Sequence, residues 1–294
     1  MASARSIRSL GASVVLGLVL TACGGSPVPT PTPITPPPET PPANALPVID
    51  RITVQGSRSK EPANFADAGE SVTVTAKVHD EETAADQLQY AWTSELGTFS
   101  GTGATVTWTA PSTVAAPADV TISLKVTEKY GSTLQFQHSV DGTATLSLHD
   151  SVREVGGMAR QFLLDFSDSN ITDAAYVIRN FSKARCPDPS EVDSEVEDVA
   201  RNRRERRITS FSVGAPATTV SFGERCPYGL KLGDGCAIVP VLWADVELSN
   251  GKPSTTSGND IVAAAYAPTD RRWWLCASNY QALDSVGTPF RFSR

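Results

Sequence analysis

The spacing of apolar residues changes once along this chain, and that change limits what each half can fold into. Over residues 48–148 apolar and polar side chains alternate in short runs: 52–54, 72–78, 88–92, 105–108, 120–126 and 144–148. Gly, Pro, Asp and Asn fall between them. Successive strand side chains point to opposite sheet faces, so each run buries one face and wets the other, as in a sandwich of two antiparallel sheets. From Asp150 the spacing is helical. Val155, Met158, Ala159, Phe162 and Phe166 share one helical face, behind a capping-box spacing at Ser151-Val152-Arg153-Glu154. Thr172 is placed to cap a second helix carrying Tyr176, Val177 and Phe181, and Pro189-Ser190 to open a third that runs to about Arg207. Strands return over 208–213, 218–222, 237–248, 260–267 and 272–280. The expectation is a multidomain chain: an all-β sandwich over 48–149, then an α+β domain over 150–294 with helices packed on a curled antiparallel sheet.

The first 47 residues join neither pattern. Residues 26–47 hold ten of the 21 prolines, interleaved with threonine, and have no apolar period. Such a run favours polyproline II and makes a semi-rigid stalk of roughly 60 Å. Ahead of it, Arg5 and Arg8 precede an apolar run over 10–20, too short to span a membrane as a mature helix. Leu20-Thr21-Ala22-Cys23 follows, then Gly24-Gly25.

This segment resembles the lipobox of bacterial lipoproteins. The resemblance implies a signal peptide over 1–22 cleaved before Cys23, a diacylglyceryl thioether on Cys23, and a further acyl chain on the new amine. Two or more chains anchor a protein stably, whereas one does so only marginally. Gly24, where an Asp would signal retention, implies the outer membrane in a diderm envelope. Loss of residues 1–22 leaves 23 basic against 32 acidic side chains, a net charge of −9. That balance argues against nucleic acid as a partner.

Two further resemblances concern the folded part. Gly69-Glu70-Ser71-Val72, Tyr90-Ala91-Trp92, Thr107-Trp108-Thr109-Ala110-Pro111 and Lys125-Val126-Thr127 resemble an Ig-like domain of the polycystic-kidney-disease (PKD) type, over about a third of the chain. That family's aspartate-and-glycine signature after the first Trp is replaced here by Thr93-Ser94-Glu95-Leu96-Gly97. Trp92 is expected to fill the core. Residues 158–166, 239–247, 261–266 and 272–276 resemble the nuclear-transport-factor-2-like (NTF2-like), cystatin-like cone, over about 150–282. That fold hosts enzymes, binders and assembly modules alike, so it leaves function open.

The histidines narrow the chemistry. His79, His138 and His149 all lie in or at the end of the sandwich. The second domain therefore builds no Ser-His-Asp, Cys-His or His-zinc arrangement from its own residues. Its four cysteines contain no C-x-x-C and suit two disulfides in an exported protein. Of three pairings, Cys226–Cys236 across a turn-rich loop and Cys186–Cys276 between the helices and the last strand are favoured.

Asp165 and Asp168 at the end of the first helix, and Asp245 and Glu247 on one strand, are candidate general bases. Asp245 and Glu247 share a face with Val241 and Trp243. Inside a cone, a carboxylate beside a tryptophan is driven toward its neutral form. The commoner arrangement puts Val246 and Leu248 inward and both acids in solvent. Asp165, Trp243, Asp245, Tyr266 and Trp274 make up the candidate pocket, for which no cofactor is expected.

Asp80-Glu81-Glu82 with Asp86 offers hard oxygens for calcium, but its spacing matches no defined loop, and no metal site is assigned. The arginines of 201–207 suit an anionic glycan or headgroup, and equally the C-terminal end of a helix dipole. Aromatics gather at Trp243, Tyr266, Trp273, Trp274 and Tyr280. Trp273 and Trp274 must face opposite ways, and an exposed one beside Arg271 and Arg272 suits a glycan or an envelope protein.

The function expected from all this is a membrane-anchored envelope or surface lipoprotein that binds a ligand or partner without catalysis. Its rivals are a carboxylate-based isomerase or hydrolase in the C-terminal pocket, and a structural subunit of an envelope assembly.

Overall fold

The structure, a computed structural model, describes residues 39–58, 60–115, 117–205, 208–215, 217–223 and 235–278, without the side chains of 202–205 and 249. Cys23, most of the stalk, Cys226 and Tyr280 lie outside these residues. The protein is mostly β-sheet with a few helices, and one of its sheets is curled. No helix of the described residues is long and apolar enough to cross a membrane.

Two four-stranded sheets form from residues 48–149. The first runs β1 (Val48–Gln55), β3 (Ser71–His79), β6 (Thr105–Thr109), β5 (Thr98–Ser100) in spatial order. The second runs β2 (Phe65–Asp67), β8 (Phe136–His149), β7 (Ala118–Tyr130), β4 (Gln89–Ser94). Each pairing is antiparallel except that of β2 with β8. The alternation read from sequence explains how they meet. In β3 Val72, Val74, Ala76 and Val78 are all buried, and Ser71, Thr73, Lys77 and His79 are exposed. Val54, Val72, Val74, Val106 and Trp108 of the first sheet close on Ala66, Val120, Ile122, Leu146 and Leu148 of the second.

The tryptophan that fills this core is Trp108, fully buried, and not Trp92, which is only partly so. Strand β4, which carries Trp92, is the edge of its sheet, whereas β6 lies between β3 and β5. Trp108 Nε1 donates to Leu96 O at 3.0 Å and Ser94 Oγ at 3.1 Å. The turn that brings them in needs Gly97, whose φ is +75° and where a Cβ would lie 2.4 Å from the indole.

The segment that leads into β1 is fixed to these two sheets. Asn44 Nδ2 donates to the buried Glu128 at 2.5 Å, Ala45 N to Glu82 at 3.2 Å, and His138 Nδ1 meets Ala45 O at 3.3 Å.

The third sheet runs β10 (Thr219–Phe222), β11 (Gly235–Ser249), β12 (Lys252–Ala267), β13 (Arg272–Ala277), with β9 (Ile208–Val213) also on β11. Asn250 (φ 52°) and Gly251 (φ 75°) turn the β11–β12 hairpin, the left-handed pair that a two-residue turn demands. Three helices, α1 (Ser151–Ser167), α2 (Ala174–Val177) and α3 (Pro189–Glu205), supply Val155, Ala159, Phe162, Val177, Val192 and Val199 to a core shared with Val239, Val241, Val262 and Leu275.

The caps sit one residue away from their sequence positions. Asp150, rather than Ser151, caps α1 by accepting from Arg153 N, while Glu154 reaches back to Asp150 N at 2.9 Å. Asp173, rather than Thr172, caps α2, which is a single turn, and Phe181 instead forms a parallel bridge to Leu275. Cys186 and Cys276 are joined in a disulfide 90 residues apart in sequence, which fixes the segment before α3 to β13. Cys236 is disulfide-bonded as well.

Candidate functional site

The meeting of the sandwich and the helices, which carried no candidate residue from the sequence except Tyr266, gathers buried polar and aromatic side chains. Phe65 of β2 leaves the sandwich and enters the helical core. It stacks on His149 at 5.1 Å and meets Phe222 at 5.1 Å and Tyr266 at 4.9 Å edge-on. Trp273 closes the cluster against Tyr266 at 5.3 Å and donates from Nε1 to Ser151 Oγ at 2.9 Å.

A chain of hydrogen bonds threads these rings. Ser147 Oγ lies 2.9 Å from His149 Nε2, and His149 Nδ1 lies 2.9 Å from Glu154 Oε2. With Glu154 ionised, Nδ1 carries the proton and Nε2 faces the serine hydroxyl. This is the order serine–histidine–acid used by nucleophilic hydrolases, assembled across the two halves and not within either one. Its surroundings rule out that chemistry in this conformation. Ser147 is 4% exposed, hydrogen-bonded by Tyr266, and its backbone N–H is given to Asn64 O at 2.8 Å. Among the described residues the hydroxyl is covered, and the amide is already engaged and so does not stabilise an oxyanion. The relay ties β8, α1 and β12 together. Burial pushes the Tyr266 phenol up to about 12, so it stays neutral beside the serine.

The sequence signal for the relay was Ser-x-His at a strand end with a glutamate five residues on. Period two puts the first pair on one face, but only the entry of α1 delivers the acid.

Beside the relay, Arg58 gathers three carboxylates. It donates to Asp67 at 2.7 Å, Glu70 at 3.0 Å and Glu61 through Nε at 3.1 Å. Its guanidinium lies 4.7 Å over the Phe222 ring. Asp67 also accepts from Ser151 N at 2.9 Å, so the cluster reaches the first turn of α1. The Glu61 side chain is wholly buried. Burial is the largest influence on Glu70 and raises it to about 7, with Asp67 N–H and Arg58 opposing and Glu61 reinforcing.

The candidate pocket residues are distributed over different parts of the C-terminal half. Asp165 is buried and accepts from Gln161 Nε2 at 2.8 Å and Arg179 Nη1 at 2.5 Å, and Arg179 in turn lies 4.0 Å over Tyr176. Tyr266 belongs to the aromatic cluster. Trp273 faces the core and Trp274 faces away. Arg272 covers one face of the Trp274 ring at 3.9 Å, and Asp270 accepts from its Nε1 at 3.0 Å. A glycan would therefore have to displace Arg272 from that face.

Asp245 departs from the commoner expectation. It is 2% exposed, while Leu242 and Leu248 are 70% and 41% exposed. Asp245 shares the side of β11 that packs on the helices through Ala237, Val239 and Val241. Trp243 lies on that side too, stacked on Phe211 at 6.0 Å and facing Gly258, where a Cβ would come within 2.8 Å of its ring.

In the acidic loop, Asp80 Oδ1 accepts from Glu82 N at 3.0 Å and Thr83 N at 2.7 Å. Among the described residues no group of three or more His, Cys, Asp or Glu side chains is arranged to hold a metal. Set against family models and curated proteins, the chain matches none.

Proposed function

We propose that the protein is a bacterial envelope lipoprotein, anchored through acyl chains on Cys23, whose folded part binds a ligand or partner and does not catalyse a reaction. The observation that carries this is Leu20-Thr21-Ala22-Cys23 directly after an apolar run with two arginines ahead of it. In this reading 48–149 is an Ig-like, PKD-like sandwich, 150–294 an NTF2-like cone, and the proline-rich stalk holds both clear of the headgroups. The Cys186–Cys276 disulfide supports an oxidising compartment outside the cytoplasm. The sealing of Ser147 supports binding over catalysis, and the partner is an envelope protein or glycan. The test is Cys23→Ser. The variant should accumulate as unprocessed precursor and take up no labelled palmitate. Detergent-phase partitioning at the mature size in that variant would overturn the anchor.

One observation favours a rival. Asp245 is buried on the helix-facing side of β11 beside Trp243, the setting a carboxylate-based isomerase or hydrolase would use. Asp245→Asn should leave ligand binding unchanged in the binding reading. Turnover of any carbonyl or ester probe by the wild type that the variant loses would favour the enzyme.

A further inference from the structure

The carboxyl groups of Glu61 and Glu70 converge on the space beside Gly56. A Cβ there would lie 1.7 Å from Glu61 Oε2 and 2.9 Å from Glu70 Oε1. Glu70 Oε1 is buried and receives no donor among the described residues other than what the neighbouring carboxyl can supply. Two carboxylates are both acceptors, so a hydrogen bond joins them only when one is protonated. With both ionised, Glu61, Asp67 and Glu70 would face the single guanidinium of Arg58.

The stretch that carries these acids also makes the contacts to the helical half. Arg58 lies over Phe222 of β10, Phe65 enters the helical core, and Asp67 receives the amide of Ser151. We propose that Glu61 and Glu70 share one proton, and that this proton is a catch holding the sandwich against the helical half, released as pH rises. The direction follows from where the proton sits. Burial holds Glu70 near 7 against an ordinary 4.5, so between these values the folded protein keeps a proton that the unfolded chain has lost. The stabilisation is complete below about pH 4.5 and disappears as pH climbs through about 7.

The groups acting on Glu70 are the Asp67 backbone N–H and the charges of Arg58 and Glu61, all from its own stretch. At the junction β8 of the sandwich brings His149, and from across it α1 brings Glu154, β12 brings Tyr266, the turn before β13 brings Arg271, and β10 brings the Phe222 ring.

The test is hydrogen exchange on the full exported protein from pH 5 to 9, corrected for intrinsic rates, over residues 151–155 and 219–222. Opening should rise about tenfold with a midpoint near 7, well below the factor that an unscreened shift of this size would give. Glu70→Gln should abolish the midpoint and keep the low-pH protection. A midpoint that survives in Glu70→Gln places the titration on a group other than Glu70 and overturns the proposal. Carbon NMR of the wild-type carboxyl groups supplies a reading that needs no variant. One glutamate among the two titrating near 7 supports the catch, and both titrating near 4.5 overturns it.

Discussion

Phe65→Ala tests whether the sandwich and the helical half stand or fall together. The ring is 1% exposed and touches three aromatic rings, of which His149 belongs to β8, Phe222 to β10 and Tyr266 to β12. Removing a buried phenylalanine side chain costs about 3–5 kcal/mol, including the cavity left behind. The three ring contacts, each about 0.5–1.5 kcal/mol beyond burial in isolated pairs, put this site at the upper end. Against a usual domain stability of about 5–15 kcal/mol, that is a large fraction. The assay is denaturant-dependent hydrogen exchange read by mass spectrometry on two sets of peptides, from β3 and β7 and from β11 and β12. In the wild type both sets should open with one free energy. In the variant both should lose about 4 kcal/mol, by the cavity estimate. A loss under about 1 kcal/mol, or a loss confined to β11 and β12, would refute a shared core and mark Phe65 as a contact between independently stable bodies.

Two further outcomes are expected. Gly97→Ala should lower the urea midpoint by the equivalent of about 2–4 kcal/mol, since a methyl there meets the Trp108 indole and the Thr109 carbonyl at a positive φ; a change under about 0.5 kcal/mol would show that the turn relaxes freely. Replacing Cys186 and Cys276 together by alanine removes a link spanning 90 residues and should cost about 4–5 kcal/mol by loop entropy, read as a lowered Tm; an unchanged Tm would show that the link adds nothing to stability.

The strands were legible because their period is local. β3, β6 and β7 need only their own alternation to show which face is buried. β2 and β5, at three residues each, are too short to carry a period, and β2 turned out to be the strand that brings Phe65 to the junction. The choice between Trp92 and Trp108 was hidden for another reason. Both occupy the inward parity of their strands, and burial was decided by which strand had a neighbour on each side, which is a property of the sheet. Asp245 shows the converse. Its charge argued for solvent, but a strand keeps one face inward along its length, and Val239 and Val241 had already fixed which face that was. The Glu61–Glu70–Arg58 cluster lies in a stretch without periodicity, so no pattern in the sequence announced it.

The fixing of Asn44 and Ala45 has a mechanical consequence. They bind Glu82, Glu128 and His138, at the end of the sandwich where β3 and β7 finish and β8 begins, while the stretch after Gln55 lies at the opposite end with Arg58 and Phe65. Tension between the segment ahead of Asn44 and the helical half would therefore run along the length of β1. The pairs from Val48 with His79 to Gln55 with Thr73 would resist it side by side and would not unzip in turn. The polar clip at Asn44 would give way first, and its release would free the few residues ahead of β1 before any strand slipped.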